Sequence, residues 1–275
     1  MPELPETETI ARDLDGELRG RTITGVVVRR DDVLREVTRD TLRSRVSGAA
    51  IVRCWRRAKM VVVDLSTGDR IVVQPRFTGA LLLSAGLLPV REALYSTLHF
   101  SLDDERDLHY RDIRRLGTVA LMSLERFETY VGTLGVEPLD PAFTVAHLSG
   151  LLRVSKQAVK KVLMDQRMVV GIGNIYANEA CWRAGLDPSR RARDVDDTET
   201  AALHAGITSV LMASIAARGT SFRDYRDAWG GKGDFERSLA VYGRGGDPCL
   251  RCGARLIETH AIDGRSTVLC ARCQE

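Results

Sequence analysis

Four cysteines near the carboxyl end, Cys249, Cys252, Cys270 and Cys273, form two Cys-x2-Cys pairs with seventeen residues between them. Two such pairs can close as knuckles on one tetrahedral ion. Four thiolates leave no open position for a substrate, so one structural zinc per chain is expected, with iron as the alternative. Between the pairs, Asp263-Gly264 flanked by alternating residues signals a tight hairpin with Arg265 at its tip. A cation held there suits a phosphate, although an ordinary exposed turn arginine explains the same residue.

A second reactive group sits at the other end. Removal of Met1 would leave Pro2 with a secondary amine beside Glu3 and Glu6. A reference α-amino group is roughly a tenth to a fifth neutral at pH 7, whereas an unperturbed lysine is under about a thousandth neutral. The terminus is therefore the better amine nucleophile, with an acid at hand. The plainer reading is a helix entry with Pro5 in the first turn.

A third feature is Gly171-Ile172-Gly173-Asn174, from which a helix is expected to start near Ile175. Glycines there let backbone N–H groups approach an anion, and the helix start favours negative charge. The third glycine and preceding strand of a dinucleotide fingerprint are missing, so no nucleotide cofactor is expected. The run Gly230-Gly231-Lys232-Gly233 also lacks phosphate-loop spacing and reads as a solvent loop or a mobile lid.

The elements that must position these groups follow from periodicity. Ile10, Leu14 and Leu18 recur every four residues before Gly20, which predicts an opening helix. Segments 22–30, 51–55, 60–65, 70–73, 80–83, 97–102, 107–111 and 118–122 read as strands separated by turn signals, the pattern of a β-sandwich or barrel. Beyond Pro141 helical periodicity takes over, with caps expected at Ser155 and at Asp196 or Asp197 and a stop at Gly219. The expected division is 1–135, 136–245 and 246–275.

With 275 residues, 44% hydrophobic and 28% charged, the chain matches a globular protein of one large or several small domains and excludes a disordered one. Wholly apolar runs such as 80–83 are strand-sized, so no membrane span is expected. The start MPELPETETI lacks a secretory core, which makes the cytoplasm the default location. A net charge of +3 does not identify a nucleic-acid partner. Clusters at Arg53, Arg56, Arg57 and Lys59, at Arg111, Arg114 and Arg115, and at Lys156, Lys160 and Lys161 are as consistent with solvated surface as with a phosphate grip.

Together these residues resemble the formamidopyrimidine-DNA glycosylase and endonuclease VIII family of base-excision repair enzymes. The resemblance spans the chain and is carried by MPELPE at 1–6, Arg56-Arg57-Ala58-Lys59, GIGNIYANE at 171–179, Val241-Tyr242-Gly243-Arg244 and the cysteine module. It implies an α+β multidomain fold: an N-terminal β-sandwich with a leading helix, a helix-two-turns-helix domain and a C-terminal zinc-ribbon hairpin. Damaged double-stranded DNA would lie in the cleft between them, bound by a monomer.

By the same resemblance Pro2 is the Schiff-base nucleophile, Glu3 the acid that helps open the deoxyribose, and Glu6 a support for that site. Lys59, placed on a strand, Asn174 and Arg265 match phosphate-holding positions around an extruded nucleotide. Phe77, Arg114 and Leu116 match the residues that fill the gap in the helix. Family members acting on purines typically have methionine where this chain has Phe77 and phenylalanine where it has Leu116, so opposite-base preference is open. The segment 219–235 resembles a lid over oxidised purines. The implied activity is a bifunctional glycosylase and abasic-site lyase for oxidised purines; the alternatives are an endonuclease VIII-like enzyme for oxidised pyrimidines and a non-catalytic damaged-DNA binder.

Overall fold

The computed structural model describes residues 2–221 and 224–275. Contacts divide the chain into two compact units, Met1–Gly132 with Ala217–Glu236, and Thr133–Ala216 with Arg237–Glu275.

The first unit opens with α1 (Leu4–Leu18), whose buried Ile10, Leu14 and Leu18 form the expected stripe. Two sheets follow. One has the order β1 (Ile23–Val28), β7 (Ser96–Leu102), β8 (Asp107–Asp112), β6 (Gly79–Ser84). The other has the order β2 (Leu34–Arg35), β9 (Thr118–Met122), β5 (Arg70–Gln74), β4 (Met60–Leu65), β3 (Ile51–Arg57). Val26, Leu81, Leu98 and Phe100 from the first join Val61, Val63, Ile71 and Leu121 from the second in one apolar core, the interior of a β-sandwich. Strand β2 and the helices α2 (Arg39–Val46), α3 (Val90–Leu94) and α4 (Leu124–Val131) are additions to the expected elements. Two of these helices carry little apolar signal: α2 buries only Leu42 and Val46, and α3 buries nothing.

The second unit contains α5 (Val145–Arg153), α6 (Val159–Met164), α7 (Asn174–Ala184) and α8 (Asp197–Ala216). Asp196 starts α8 as expected: its carboxylate accepts the Glu199 amide at 2.8 Å, and the Glu199 carboxylate accepts the Asp196 amide at 2.9 Å. Ser155 is not a cap, because α6 begins only at Val159 and the Ser155 hydroxyl accepts locally from Gln157. By length and composition α8 would suffice to cross a membrane, which the reading of strand-sized apolar runs overlooked. It packs on α7 and buries Leu203, Ile207, Val210 and Leu211, as a core helix does.

The zinc-ribbon hairpin, β10 (Ile257–Thr259) and β11 (Thr267–Leu269), differs from the expected two-residue connection. The strands part at Thr259 and Thr267, and the Asp-Gly turn lies within the intervening loop, closed by Arg265 N–H on the Ile262 carbonyl at 3.0 Å. Asp263 and Gly264 both have positive φ, 52° and 64°, the geometry of a type I′ turn. Residues 217–236, though late in the sequence, pack with the first unit.

Candidate active site

Glu3 caps α1, and its N–H donates to Glu6 Oε2 at 2.8 Å. The other oxygen of Glu6 accepts the amide of Thr220 at 2.8 Å. Glu6 is 1% exposed, so these charge-assisted bonds compensate for its lost hydration. Gly219 permits the approach: its φ is +87°, and a Cβ there would stand 3.0 Å from Glu6 Cγ and Oε1. Tyr225 is buried beside the same carboxylate, and burial followed by the charge of Glu6 pushes its phenol well above the usual range. Pro2 and Glu3 are buried too. Short-range spacing suggested the Glu3 and Glu6 pair, but nothing local pointed to Gly219, Thr220 or Tyr225.

Lys59 lies in the turn between β3 and β4 rather than on a strand. Arg57 and Met60 are the last paired residues, and Ala58 takes φ 54°. Arg56 holds this turn by donating to the Ala58 carbonyl at 3.1 Å while its Nε meets Glu8 on α1 at 2.7 Å. Burial alone would raise the Glu8 carboxyl, but Arg56 and then Arg12 outweigh it and hold it below its ordinary value. The helix that starts at Glu3 is thus tied to the turn that carries Lys59. The basic cluster leaves Arg56 open between solvated surface and phosphate grip in the sequence; in the structure it is largely enclosed.

Phe77 is 45% exposed and Leu116 42%, so neither is a core residue of the sandwich. The Arg114 guanidinium stands 5.0 Å from the centre of the Phe77 ring, a cation–π contact. Of the segment resembling a lid, Phe222 and Arg223 lie outside the described residues. The rest is held within itself by Thr220 opposite Asp234 and Gly233 N–H on Ser221 at 2.9 Å, and joins the sandwich through Leu83 N–H on the Ala228 carbonyl at 2.8 Å.

In the second unit, Asn174 is the first residue of α7. Its Nδ2 donates to the Ser266 carbonyl at 3.0 Å. Lys160, 0% exposed, donates to the same carbonyl at 2.8 Å and to Thr267 Oγ1 at 2.7 Å. Lys161 reaches Asp263 at 2.9 Å. Two lysines with a surface-like sequence signature therefore fix the loop next to Arg265. The Arg265 side chain itself is exposed. Glu179, buried on α7, accepts the amides of Ala240, Val241 and Tyr242 at 2.9 to 3.1 Å. Burial raises its carboxyl against those three donors.

The Sγ atoms of Cys249, Cys252, Cys270 and Cys273 all lie within 4.8 Å of one another. Arg251 N–H points at Cys249 Sγ at 3.4 Å, as amides do at a thiolate knuckle. The set fits one structural zinc, and the first cysteine of each pair, Cys249 and Cys270, packs with Val241, Leu256 and Val268 in a small core. Cys54 and Cys181 are separate, buried thiols; burial pushes Cys181 up to about 12, so neither is poised to react.

A sandwich with buried N-terminal carboxylates, a helical unit in which Asn174 opens α7 and a four-cysteine finger define a DNA-binding repair glycosylase. Family models agree across the chain: the formamidopyrimidine-DNA glycosylase N-terminal domain matches residues 1–119, its H2TH domain 134–226, and the zinc finger found in FPG and IleRS 246–275. The chain belongs to the formamidopyrimidine-DNA glycosylase family. It is 40% identical over 278 residues to the formamidopyrimidine-DNA glycosylase of Heliobacterium modesticaldum, with 100% of both chains covered. Among solved structures it is similar to a Lactococcus lactis FPG mutant in complex with Fapy-dG-containing DNA, at TM-score 0.92 and 29% identity over 100% of both chains. It is likewise similar to the MutM (FPG) protein of Thermus thermophilus, at TM-score 0.87 and 32% identity over 99% and 98% of the two chains.

Proposed function

We propose that the chain excises oxidised purines, 8-oxoguanine and formamidopyrimidines, from duplex DNA and then cuts the strand as an abasic-site lyase. The Pro2 nitrogen attacks C1′, the glycosidic bond breaks with its electrons on the base, and the base takes up a proton. Opening of the sugar ring at C1′–O4′, with the Pro2 N–H proton lost, gives an iminium at C1′. That cation acidifies the C2′ proton; its removal expels the 3′ phosphate, and a second elimination across C4′ expels the 5′ phosphate. Glu3 moves the protons at the ring oxygen. Glu6 keeps the terminus in place.

The observation that carries this reading is the Glu6 carboxylate shared between the Glu3 and Thr220 amides, at 2.8 Å each. It fixes the residue after the proposed nucleophile against the segment that resembles the purine lid, and binding DNA alone requires no such arrangement. Lys59, Asn174 and Arg265 hold phosphates around the extruded nucleotide, while Phe77, Arg114 and Leu116 fill its place in the stack. The three proposed modules, 1–135, 136–245 and 246–275, supply the chemistry, the helix-start anion site and the Arg265 hairpin. Excision from a panel of duplexes bearing oxidised purines and oxidised pyrimidines tests the substrate class. Preference for pyrimidines would move the chain to the endonuclease VIII-like alternative, and no excision of any lesion would leave a DNA binder.

A further inference from the structure

Phe77 and the pair Arg114 and Leu116 lie far apart in sequence, yet the sandwich makes them neighbours. One link joins β5 to β6 and the other joins β8 to β9, so each crosses from one sheet to the other. Gln74 pairs with Thr118 where the links touch one sheet, and Gly79 pairs with Asp112 where they touch the other. The links therefore run side by side.

Thr78 joins them. Its hydroxyl donates to Asp112 Oδ1 at 2.5 Å and accepts the Arg114 amide at 2.9 Å. Asp112 Oδ2 accepts the Gly117 amide at 2.8 Å and the Tyr110 hydroxyl at 3.1 Å. Arg111 donates to the Thr78 carbonyl at 2.9 Å. Asp112 is 1% exposed, so one enclosed carboxylate references both links. The packing is close enough to demand glycine at 117, where a Cβ would lie 2.0 Å from the Tyr110 hydroxyl. Phe77 at φ 44° and Arg115 at φ 52° adopt a left-handed backbone that side-chain-bearing residues avoid, so neighbouring bonds must hold them.

We propose that Thr78 and Asp112 are positioning residues that make Phe77, Arg114 and Leu116 one rigid wedge rather than two independent loops. The Arg114 contact with the Phe77 ring couples the links at their exposed ends, and Thr78 couples them at the base. The inference rests on the proposed role of Phe77 in filling the gap left by an extruded nucleotide. A wedge splayed by the stack it enters would lose the stacking that offsets extrusion, so coupling acts on duplex substrates only.

The test uses the full chain with zinc bound and compares Thr78→Val, which keeps the shape and removes the hydroxyl, with Thr78→Ser, which keeps the hydroxyl. Single-turnover excision from a lesion duplex should fall about tenfold in Thr78→Val, the order expected for an unmade buried hydrogen bond, and recover in Thr78→Ser. Nicking of a single-stranded oligonucleotide carrying a preformed abasic site should change less than about twofold. Adding Thr78→Val to Phe77→Ala should slow duplex excision little beyond Phe77→Ala alone, because both act through one wedge. Equal losses on the two substrates, no rescue by serine, or losses that multiply in the double variant would each overturn the coupling. A Phe77→Ala protein with no duplex-specific loss would instead bring down the wedge itself, and this proposal with it.

Discussion

Glu6 and Thr220 are 214 residues apart in sequence, and a 2.8 Å hydrogen bond from the Thr220 amide to Glu6 Oε1 joins them in a buried site. The bond makes the start of α1 and the 217–236 segment parts of one unit. It gives the lid-like segment a fixed root at the residues proposed to carry the chemistry.

Gly219→Ala should loosen that root. Alanine at φ +87° is disfavoured, and its Cβ would press on Glu6, so a stability loss of about 1 to 2 kcal/mol is expected. Excision of a damaged base should fall further than the melting temperature implies, whereas nicking of a preformed abasic site should fall less. Thermal unfolding and the two single-turnover rates measure this directly. An unchanged excision rate would dissociate the Glu6–Thr220 bond from function.

Metal analysis should find one zinc per chain, and removing it should release the loop that carries Arg265 and weaken DNA binding. Zinc retained at full stoichiometry in a Cys249→Ser, Cys252→Ser protein would defeat the ligand assignment. Arg265→Ala should weaken binding with little dependence on sequence and lower the salt slope by about one, as for one lost phosphate contact.

The legibility of these features depended on how local their causes are. The cysteine pairs, the start of α8 at Asp196 and the strand alternation depend on neighbours a few residues away, and all are visible in the sequence. Helix α2 is hidden because only Leu42 and Val46 are buried, too few to establish a period. Lys160 and Arg111 look like surface cations, but their partners are Ser266 and Thr267 in one case and Glu92 and Thr78 in the other. Glu6 was legible as a carboxylate beside Pro2 and illegible as the anchor of Thr220. Phe77 illustrates the reverse case: an isolated aromatic after Arg76 is ambiguous, and the turn around it decides for exposure.

Phe77→Ala should slow excision from a duplex by roughly tenfold to a hundredfold, on the scale of 1 to 3 kcal/mol for one lost aromatic stack, and should spare a single-stranded abasic site. Comparable losses on both substrates, with a lowered melting temperature, would make the residue structural.

The His99–His109 pair gives the first unit a specific acid sensitivity. The rings lie 5.0 Å apart, and burial, then the charge of His99, pushes His109 down to about 4. The folded state thus binds fewer protons than the unfolded one between about pH 6.5 and 4. The resulting stability is fully present above that window and is lost as pH falls through it, by on the order of 2 to 3 kcal/mol for His109. Denaturant titrations at pH 7 and pH 4.5 should show a smaller acid loss in His109→Gln than in the unaltered chain. Equal losses would remove His109 as the cause.

Borohydride trapping followed by mass mapping of the adduct tests the central claim most directly. With Met1 removed, the protein incubated with a lesion duplex should become covalently joined to DNA through the Pro2 nitrogen, and a chain retaining Met1 should trap poorly. Glu3→Gln should impair base removal more than it impairs trapping on a preformed abasic site. An adduct mapped to a lysine side chain, or undiminished trapping by the chain that retains Met1, would contradict the account.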